Sequence, residues 1–379
     1  MKKIRLAGGQ VITPLEVRFA DILIEGGLIT AIVPYEQSTP AYENLDVAGR
    51  LVTPGLIDLQ LNGGPALDFW GKPTEAELVK FTRQQALGGV TTYLPTLITA
   101  AIDHLVENID WLKKHGLRSD LSLAKGLSAR MPGIHLEGPC LSPKRPGVHP
   151  PEHLQPFSQE ILKRLIIDGV LLITVAPELD HEGEALQYLQ SHGVKVSLGH
   201  SNANLAEAQK AFDAGIRLVT HIFNAMAPLH HRDPGAAGAA LMDDRVNCCL
   251  IADGLHLAPE TVSLILRLKG ASRSILVTDA AKIGTTGGGL VGSSIQLADA
   301  VRNCVAWGSA PFQAAVRMAS YNPARVMGLD EKVGHLEVGK FADLVIWNAQ
   351  DLSIDLVLVG GQILTRDDKT VETAGKSFR

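Results

Sequence analysis

Leu59-Gln60-Leu61-Asn62-Gly63-Gly64 closes the first apolar run of the central sequence, and its glycine spacing decides between two α/β folds. A doubly wound dinucleotide-binding sheet would carry G-x-G-x-x-G here, so that the backbone could approach a pyrophosphate at a helix N-terminus. The spacing in this chain does not match, which favours a barrel. Seven further apolar runs with strand character follow, and the eight end near Gln60, Thr96, Glu137, Glu178, His200, His221, Asp253 and Asp279. Helical patterns lie between them. Ile102, Leu105, Val106, Ile109 and Leu112 repeat at the i, i+3, i+4, i+7 spacing of an apolar stripe. Thr74 and Glu77 form a capping-box signature. Gly88, Gly116, Gly193, Gly215 and Gly270 fall where helix C-caps belong. Eight β/α units of this length predict a (β/α)8, TIM-like barrel.

The two ends of the chain share a different grammar. Near the N-terminus, Asp21 to Glu25 and Leu28 to Val33 flank Gly26-Gly27, a hairpin signal. Near the C-terminus, Ile354 to Val359 and Gln362 to Leu364 flank Gly360-Gly361, and Ala342 to Trp347 reads as another strand. Small β pieces are marginal alone. They are expected to meet in one small β-sandwich domain, from residues 1–53 and 335–379, bracketing a barrel over residues 54–334.

Composition narrows the function. The chain has 379 residues, 46% of them hydrophobic, enough to bury a large core without disulfides or structural metals. A net charge of −5 and 5% aromatic residues argue against a nucleic-acid partner. The longest apolar stretch, Val170 to Ala176, is strand-sized and too short for a bilayer. Met1-Lys2-Lys3-Ile4-Arg5-Leu6 breaks its apolar run too early for a signal core. Cys140, Cys248, Cys249 and Cys304 show no metal or disulfide spacing, and read as buried reduced thiols of a cytoplasmic protein.

Side chains at the C-terminal ends of barrel strands converge on one mouth. Here these include Glu137, His200, His221 and Asp279. Two imidazoles and a carboxylate suit a catalytic zinc with an open fourth position, or Fe(II) with more open positions. Asp279 could exchange protons with a metal-activated water; the alternative is a structural Asp capping the next helix. His104, His115, His153, His181 and His192 fall in or beside helical segments and read as surface residues. Gly235, Gly238 and Gly287-Gly288-Gly289 read as loop flexibility rather than phosphate cradles.

Six segments in order carry a resemblance. They are Leu51-Val52-Thr53-Pro54-Gly55-Leu56-Ile57-Asp58, His135-Leu136-Glu137-Gly138-Pro139, Gly199-His200-Ser201-Asn202-Ala203, Thr220-His221-Ile222-Phe223-Asn224-Ala225-Met226, Ala252-Asp253-Gly254-Leu255-His256 and Val277-Thr278-Asp279-Ala280. Together they resemble the N-acetylglucosamine-6-phosphate deacetylases of the amidohydrolase superfamily, from about Leu51 to Val338. The resemblance implies one divalent metal per chain, zinc or else Fe(II), held by Glu137, His200 and His221. It implies Asp279 as general base and then acid, and His149 as the group that polarises the acetyl carbonyl. It implies that Asn224, Ala225, Arg232 and His256 hold the sugar and its 6-phosphate. It further implies a homodimer, with the arginine reaching the neighbouring subunit's substrate.

Two departures from the superfamily pattern stand out. Gln60 and Asn62 occupy the places of the His-x-His that ligates a second metal, and neutral amides are poor zinc ligands. The Gly- and Thr-rich segment Ala280 to Val291 is shorter than usual before Gly292-Ser293-Ser294. A cyclic-amide hydrolase would bridge two metals with a modified lysine, and no lysine ends a barrel strand. A deacetylase for the galactosamine epimer stays open. Retention of Glu137, His200, His221 and Asp279 together speaks against a non-enzymatic scaffold.

Overall fold

The computed structural model describes residues 3–13, 16–35, 39, 41–65, 67–282, 285–286 and 289–365. Eight parallel strands follow one another in sequence order: Leu56–Leu61, Val90–Ile98, Ile134–Glu137, Val170–Val175, Lys195–Leu198, Leu218–Val219, Asn247–Leu250 and Ser274–Leu276. The end of the first meets the segment just past the eighth, where Leu61 bridges Ala280 and Asp279 N donates to Gln60 O at 2.9 Å. That contact closes the barrel at its mouth. Successive strand residues point to opposite faces, and the core divides accordingly. Cys248, Leu250 and Leu276 pack with the outer helices, while Cys249, Ile251, Ile275 and Val277 join a second cluster that includes Ala324 and Met327.

The helices form where the sequence patterns place them. Helix Glu75–Leu87 starts on the reciprocal Thr74–Glu77 capping box. Helix Ile102–His115 buries Ile102, Leu105, Ile109 and Leu112 and leaves Val106 partly buried beside them. All four cysteines are buried and free. Among the described residues, no helix is long and apolar enough to cross a membrane.

Strands from both ends of the chain build a separate eight-stranded sheet. Strand Leu344–Asn348 lies antiparallel to Arg50–Pro54, which joins the C-terminal hairpin to the N-terminal strands. The sheet wraps a core that includes Ile22, Ile24, Leu344, Ile346 and Leu358. Residues before Leu344 return to its far edge, where Ala342 N donates to Gly27 O at 2.8 Å and Ile29 N to Lys340 O at 2.9 Å. The two glycine turns have φ of +63° and +84° (Gly26, Gly27) and +55° and +71° (Gly360, Gly361), which only glycine adopts without strain. They also touch: a Cβ on Gly27 would sit 2.9 Å from Gly360 O. The repeated Gly-Gly signal thus serves both turning and packing. The final positions assigned to this sheet by the sequence, 366–379, lie outside the described residues, as do 283–284 and 287–288 of the shortened segment.

Candidate active site

The strands stop earlier than their apolar runs suggest. Ladder pairing ends at Leu198, Val219 and Leu276, so His200, His221 and Asp279 lie two or three residues further on. Their φ angles are +47°, +27° and +50°, left-handed backbone that costs ~1–3 kcal/mol per non-glycine residue and collects at functional sites. Phe223 and Ala225 continue the strain in the loop after His221, at +76° and +50°. The fourth strand also stops short, at Val175, and Glu178 lies in a following 3-10 turn. There its carboxylate accepts from Ser201 Oγ and Asn202 N, both at 2.7 Å, and braces the loop behind His200.

Glu137, His200 and His221 form a buried set whose ligand atoms all lie within 4.8 Å of one another. Glu137 Oε1 is 3.2 Å from His200 Nε2 and 2.9 Å from His221 Nε2. The fit to a cation can be read from His200. Its Nδ1 lies 3.1 Å from the carbonyl oxygen of Arg145, which can only accept, so the ring hydrogen belongs on Nδ1. With its hydrogen on Nδ1, the ring can offer an Nε2 lone pair to a divalent cation shared with the Glu137 carboxylate. An outer hydrogen bond of this kind commonly fixes the tautomer of a metal-binding histidine. Two imidazole nitrogens and one carboxylate oxygen therefore fit the cation. His135 is different: Leu59 O at 3.0 Å and Thr174 Oγ1 at 2.8 Å satisfy both ring nitrogens, making it a core residue.

Asp279 sits beside this set. Gln60 Nε2 donates at 3.0 Å to both Glu137 Oε1 and Asp279 Oδ1, and Asn62 Nδ2 donates to Asp279 Oδ1 at 2.6 Å. The two amides thus hold carboxylates. Burial, then the nearby charge of Glu137, raises the Asp279 carboxyl to about 7, against the opposing influence of His221, Asn62 and His256. Burial would raise Glu137 as well, but the imidazoles of His200, His221 and His149 packed around it hold it well below the usual range. A divalent cation in the set would lower both.

His149 is 2% exposed, and Thr99 N and Oγ1 lie 3.3 and 2.8 Å from its Nδ1. The backbone N–H can only donate, so Nδ1 accepts and the ring hydrogen falls on Nε2, which lies 3.9 Å from Glu137 Oε2. Burial, reinforced by the neighbouring His200 ring, lowers the imidazole to about 3, leaving a neutral N–H donor. His256 Nδ1 donates to Asp253 Oδ2 at 2.7 Å. Asp253 also receives Leu255 N and His256 N at 2.8 Å each.

These groups line one cavity of about 220 Å³. Glu137, His149, His200, His221, Asn224, Ala225, His256 and Asp279 all reach it, together with Asn62, Trp70, Ile98 and Val148. Arg232 does not. It is exposed, with Nη1 2.9 Å from His231 Nε2. Sequence reasoning did not anticipate Trp70 and Ile98 in the wall, Thr99 behind His149, or Asp253 behind His256. Of these only the i, i+3 spacing of Asp253 and His256 offered a signal.

Residues 51–364 match the family model described as "Amidohydrolase family". The chain belongs to the amidohydrolase family. An N-acetylglucosamine-6-phosphate deacetylase from Vibrio furnissii is 32% identical, over 90% of this chain and 89% of its own length. An N-acetylgalactosamine-6-phosphate deacetylase from Escherichia coli O157:H7 is 31% identical, over 92% and 94%. A solved structure of a mutant Mycobacterium smegmatis N-acetyl-D-glucosamine-6-phosphate deacetylase in complex with N-acetyl-D-glucosamine 6-phosphate superposes with a TM-score of 0.85 at 28% identity, covering 96% of this chain and 100% of that one. Among amidohydrolases, this chain falls with the amino-sugar-phosphate deacetylases, and it is a hydrolase of an amide bond.

Proposed function

We propose that the chain hydrolyses N-acetyl-D-glucosamine 6-phosphate to D-glucosamine 6-phosphate and acetate, using one zinc per chain. The observation that carries this reading is the union of a cation-ready Glu137–His200–His221 set, a neutral His149 donor and a buried Asp279 around one cavity. Glu137, His200 and His221 would hold the cation. Bound there, it would lower the pKa of a water and draw charge from the acyl oxygen. His149 Nε2–H would donate to that oxygen as negative charge develops on it. Asp279 would take a proton from the attacking water and hand it to the amine, a poor leaving group unless protonated. Asn224, Ala225 and His256 would hold the sugar, with Asp253 fixing the orientation of the His256 ring. The proposed site of action is the cytoplasm, where the four free thiols would stay reduced.

The deciding measurement is acetate release from the gluco and galacto epimers of N-acetylhexosamine 6-phosphate, with metal content determined on the same sample. The Escherichia coli relative makes the galacto epimer the second reading. About one equivalent of zinc is expected in protein purified without chelator, because Gln60 and Asn62 take the places of second-site histidines and bond to carboxylates instead. Two tightly held equivalents, both needed for activity, would exclude the one-metal site.

The phosphate requires a cation in a chain of net charge −5. Arg232 is proposed to bind the phosphate of the neighbouring subunit's substrate in a homodimer, since a guanidinium offers two parallel hydrogen bonds to phosphate oxygens. Its exposure outside its own cavity is compatible with that role. Arg232→Ala is expected to cost about 30-fold in kcat/KM for the 6-phosphate sugar, from a charge-assisted pair of ~2 kcal/mol. The unphosphorylated sugar should lose far less. Verified heterodimers of Arg232→Ala with Asp279→Asn chains should regain activity, because one site then holds both groups. An unchanged phosphate preference removes Arg232 from the site, and absence of rescue denies the cross-subunit contact.

A further inference from the structure

Asn62 carries a buried carbonyl oxygen with no hydrogen-bond partner inside the chain. The residue is 2% exposed and lines the catalytic cavity. Its amide is not free to turn over. Nδ2 donates to Asp279 Oδ1 at 2.6 Å, and exchanging the two ends would set oxygen against a carboxylate. The backbone is pinned as well: Asn62 N donates to Ala280 O at 2.9 Å, and Asn62 O accepts from Phe69 N at 3.0 Å. Buried polar atoms in folded proteins almost always find a partner. A locked acceptor at the wall of a reaction cavity leaves that partner to the ligand.

We infer that Asn62 Oδ1 accepts the N–H of the scissile amide, which makes Asn62 a substrate-orienting residue of the reaction. The inference rests on the proposed deacetylation. The scissile nitrogen must come within reach of Asp279, the group that protonates it, and Asn62 is bonded to that same carboxylate. An acceptor beside the acid holds the N–H to one side, so the lone pair that develops as the acyl carbon becomes tetrahedral points at Asp279. The nitrogen gains positive character as it takes the proton, and a hydrogen bond from a charged donor is stronger than one from a neutral amide. The contact therefore tightens toward the transition state, where binding accelerates the reaction.

The test compares substrates with and without that hydrogen. N-acetyl-D-glucosamine 6-phosphate has the N–H; the 2-O-acetyl ester of D-glucose 6-phosphate lacks it. Asn62→Ala removes the acceptor and also the donor to Asp279. Loss of that donor bears on both substrates, and Asn62→Asp, which loses the donor but keeps an oxygen, measures its share of any change in their ratio. The amide is expected to lose at least about tenfold more in kcat/KM than the ester, the scale of one hydrogen bond. Asn62→Asp keeps an oxygen acceptor, so its amide-to-ester ratio should stay near wild type although both rates fall. If wild type does not turn over the ester, the same ratio is read as affinity for the two compounds in metal-loaded Asp279→Asn protein, with and without Asn62→Ala. Equal losses on amide and ester in Asn62→Ala overturn the inference and leave Asn62 acting on Asp279 or on the attacking water. A wild-type chain that releases no acetate from either epimeric amide fails the proposed function instead, a separate outcome.

Discussion

Asp279→Asn is expected to lower kcat by at least ~10²-fold, the lower range for loss of general acid–base catalysis, while leaving metal content near wild type. Asparagine keeps the shape of aspartate, and its oxygen can still receive Gln60 Nε2 and Asn62 Nδ2, which now meet on Asp279 Oδ1. What it cannot do is accept and return a proton. The metal should survive because Glu137, His200 and His221 are untouched. The contrast is with His200→Ala or His221→Ala, which should lose metal and activity together. Acetate release and elemental analysis on the same preparations separate the two behaviours. An Asp279→Asn protein with near-wild-type kcat would falsify the acid–base role, and one that loses its metal would move Asp279 into the ligand set.

Much of this site is legible in the sequence because a barrel converts local position into convergence. Glu137, His200, His221 and Asp279 each follow a separate apolar run, and the end of a strand is the mouth of the barrel. The exact register is less legible. An apolar run does not announce where its hydrogen-bond ladder stops, and His200, His221 and Asp279 sit beyond that point in left-handed backbone. Gln60 and Asn62 could be recognised as poor zinc ligands from their chemistry alone. Their bonds to Asp279 could not, because they depend on the seam between the first and eighth strands, more than two hundred residues apart in the chain. Trp70 and Ile98 belong to the same difficulty: an apolar residue in a cavity wall looks like any core residue until the walls meet. At the ends of the chain, the paired glycine turns were visible as hairpins, but their contact with one another was not.

Breaking the ion pair between Arg130 and Asp343 is expected to have the largest effect on stability. The two are 3% and 4% exposed, and they join the barrel to the strand region at its edge. Arg130 Nε donates to Asp343 Oδ2 at 2.7 Å and Nη2 to Oδ1 at 2.9 Å, a two-pronged contact. The remaining Nη1 donates to Leu121 O, and the guanidinium lies 3.9 Å from the Phe341 ring centroid. Gly360 N donates to Asp343 Oδ1 at 2.7 Å, which draws the C-terminal glycine turn into the same cluster. Removing one partner leaves the other charge buried without compensation, which costs about 3–5 kcal/mol. Arg130→Ala and Asp343→Ala should therefore each lower Tm by about 5 °C, given an unfolding entropy of ~2 cal/mol/K per residue. The pair itself need not be strongly stabilising, since desolvation offsets much of its attraction. The double variant Arg130→Ala, Asp343→Ala should accordingly lose less than the sum of the two single losses, and the thermodynamic cycle over these variants would show that coupling. Both residues lie outside the catalytic cavity, so kcat well below Tm should be unchanged in all three proteins. Single variants within about 1 kcal/mol of wild type in urea unfolding would mean that the apolar contacts beneath the sheet, Trp347 and Val345 among them, hold the two parts together without this pair.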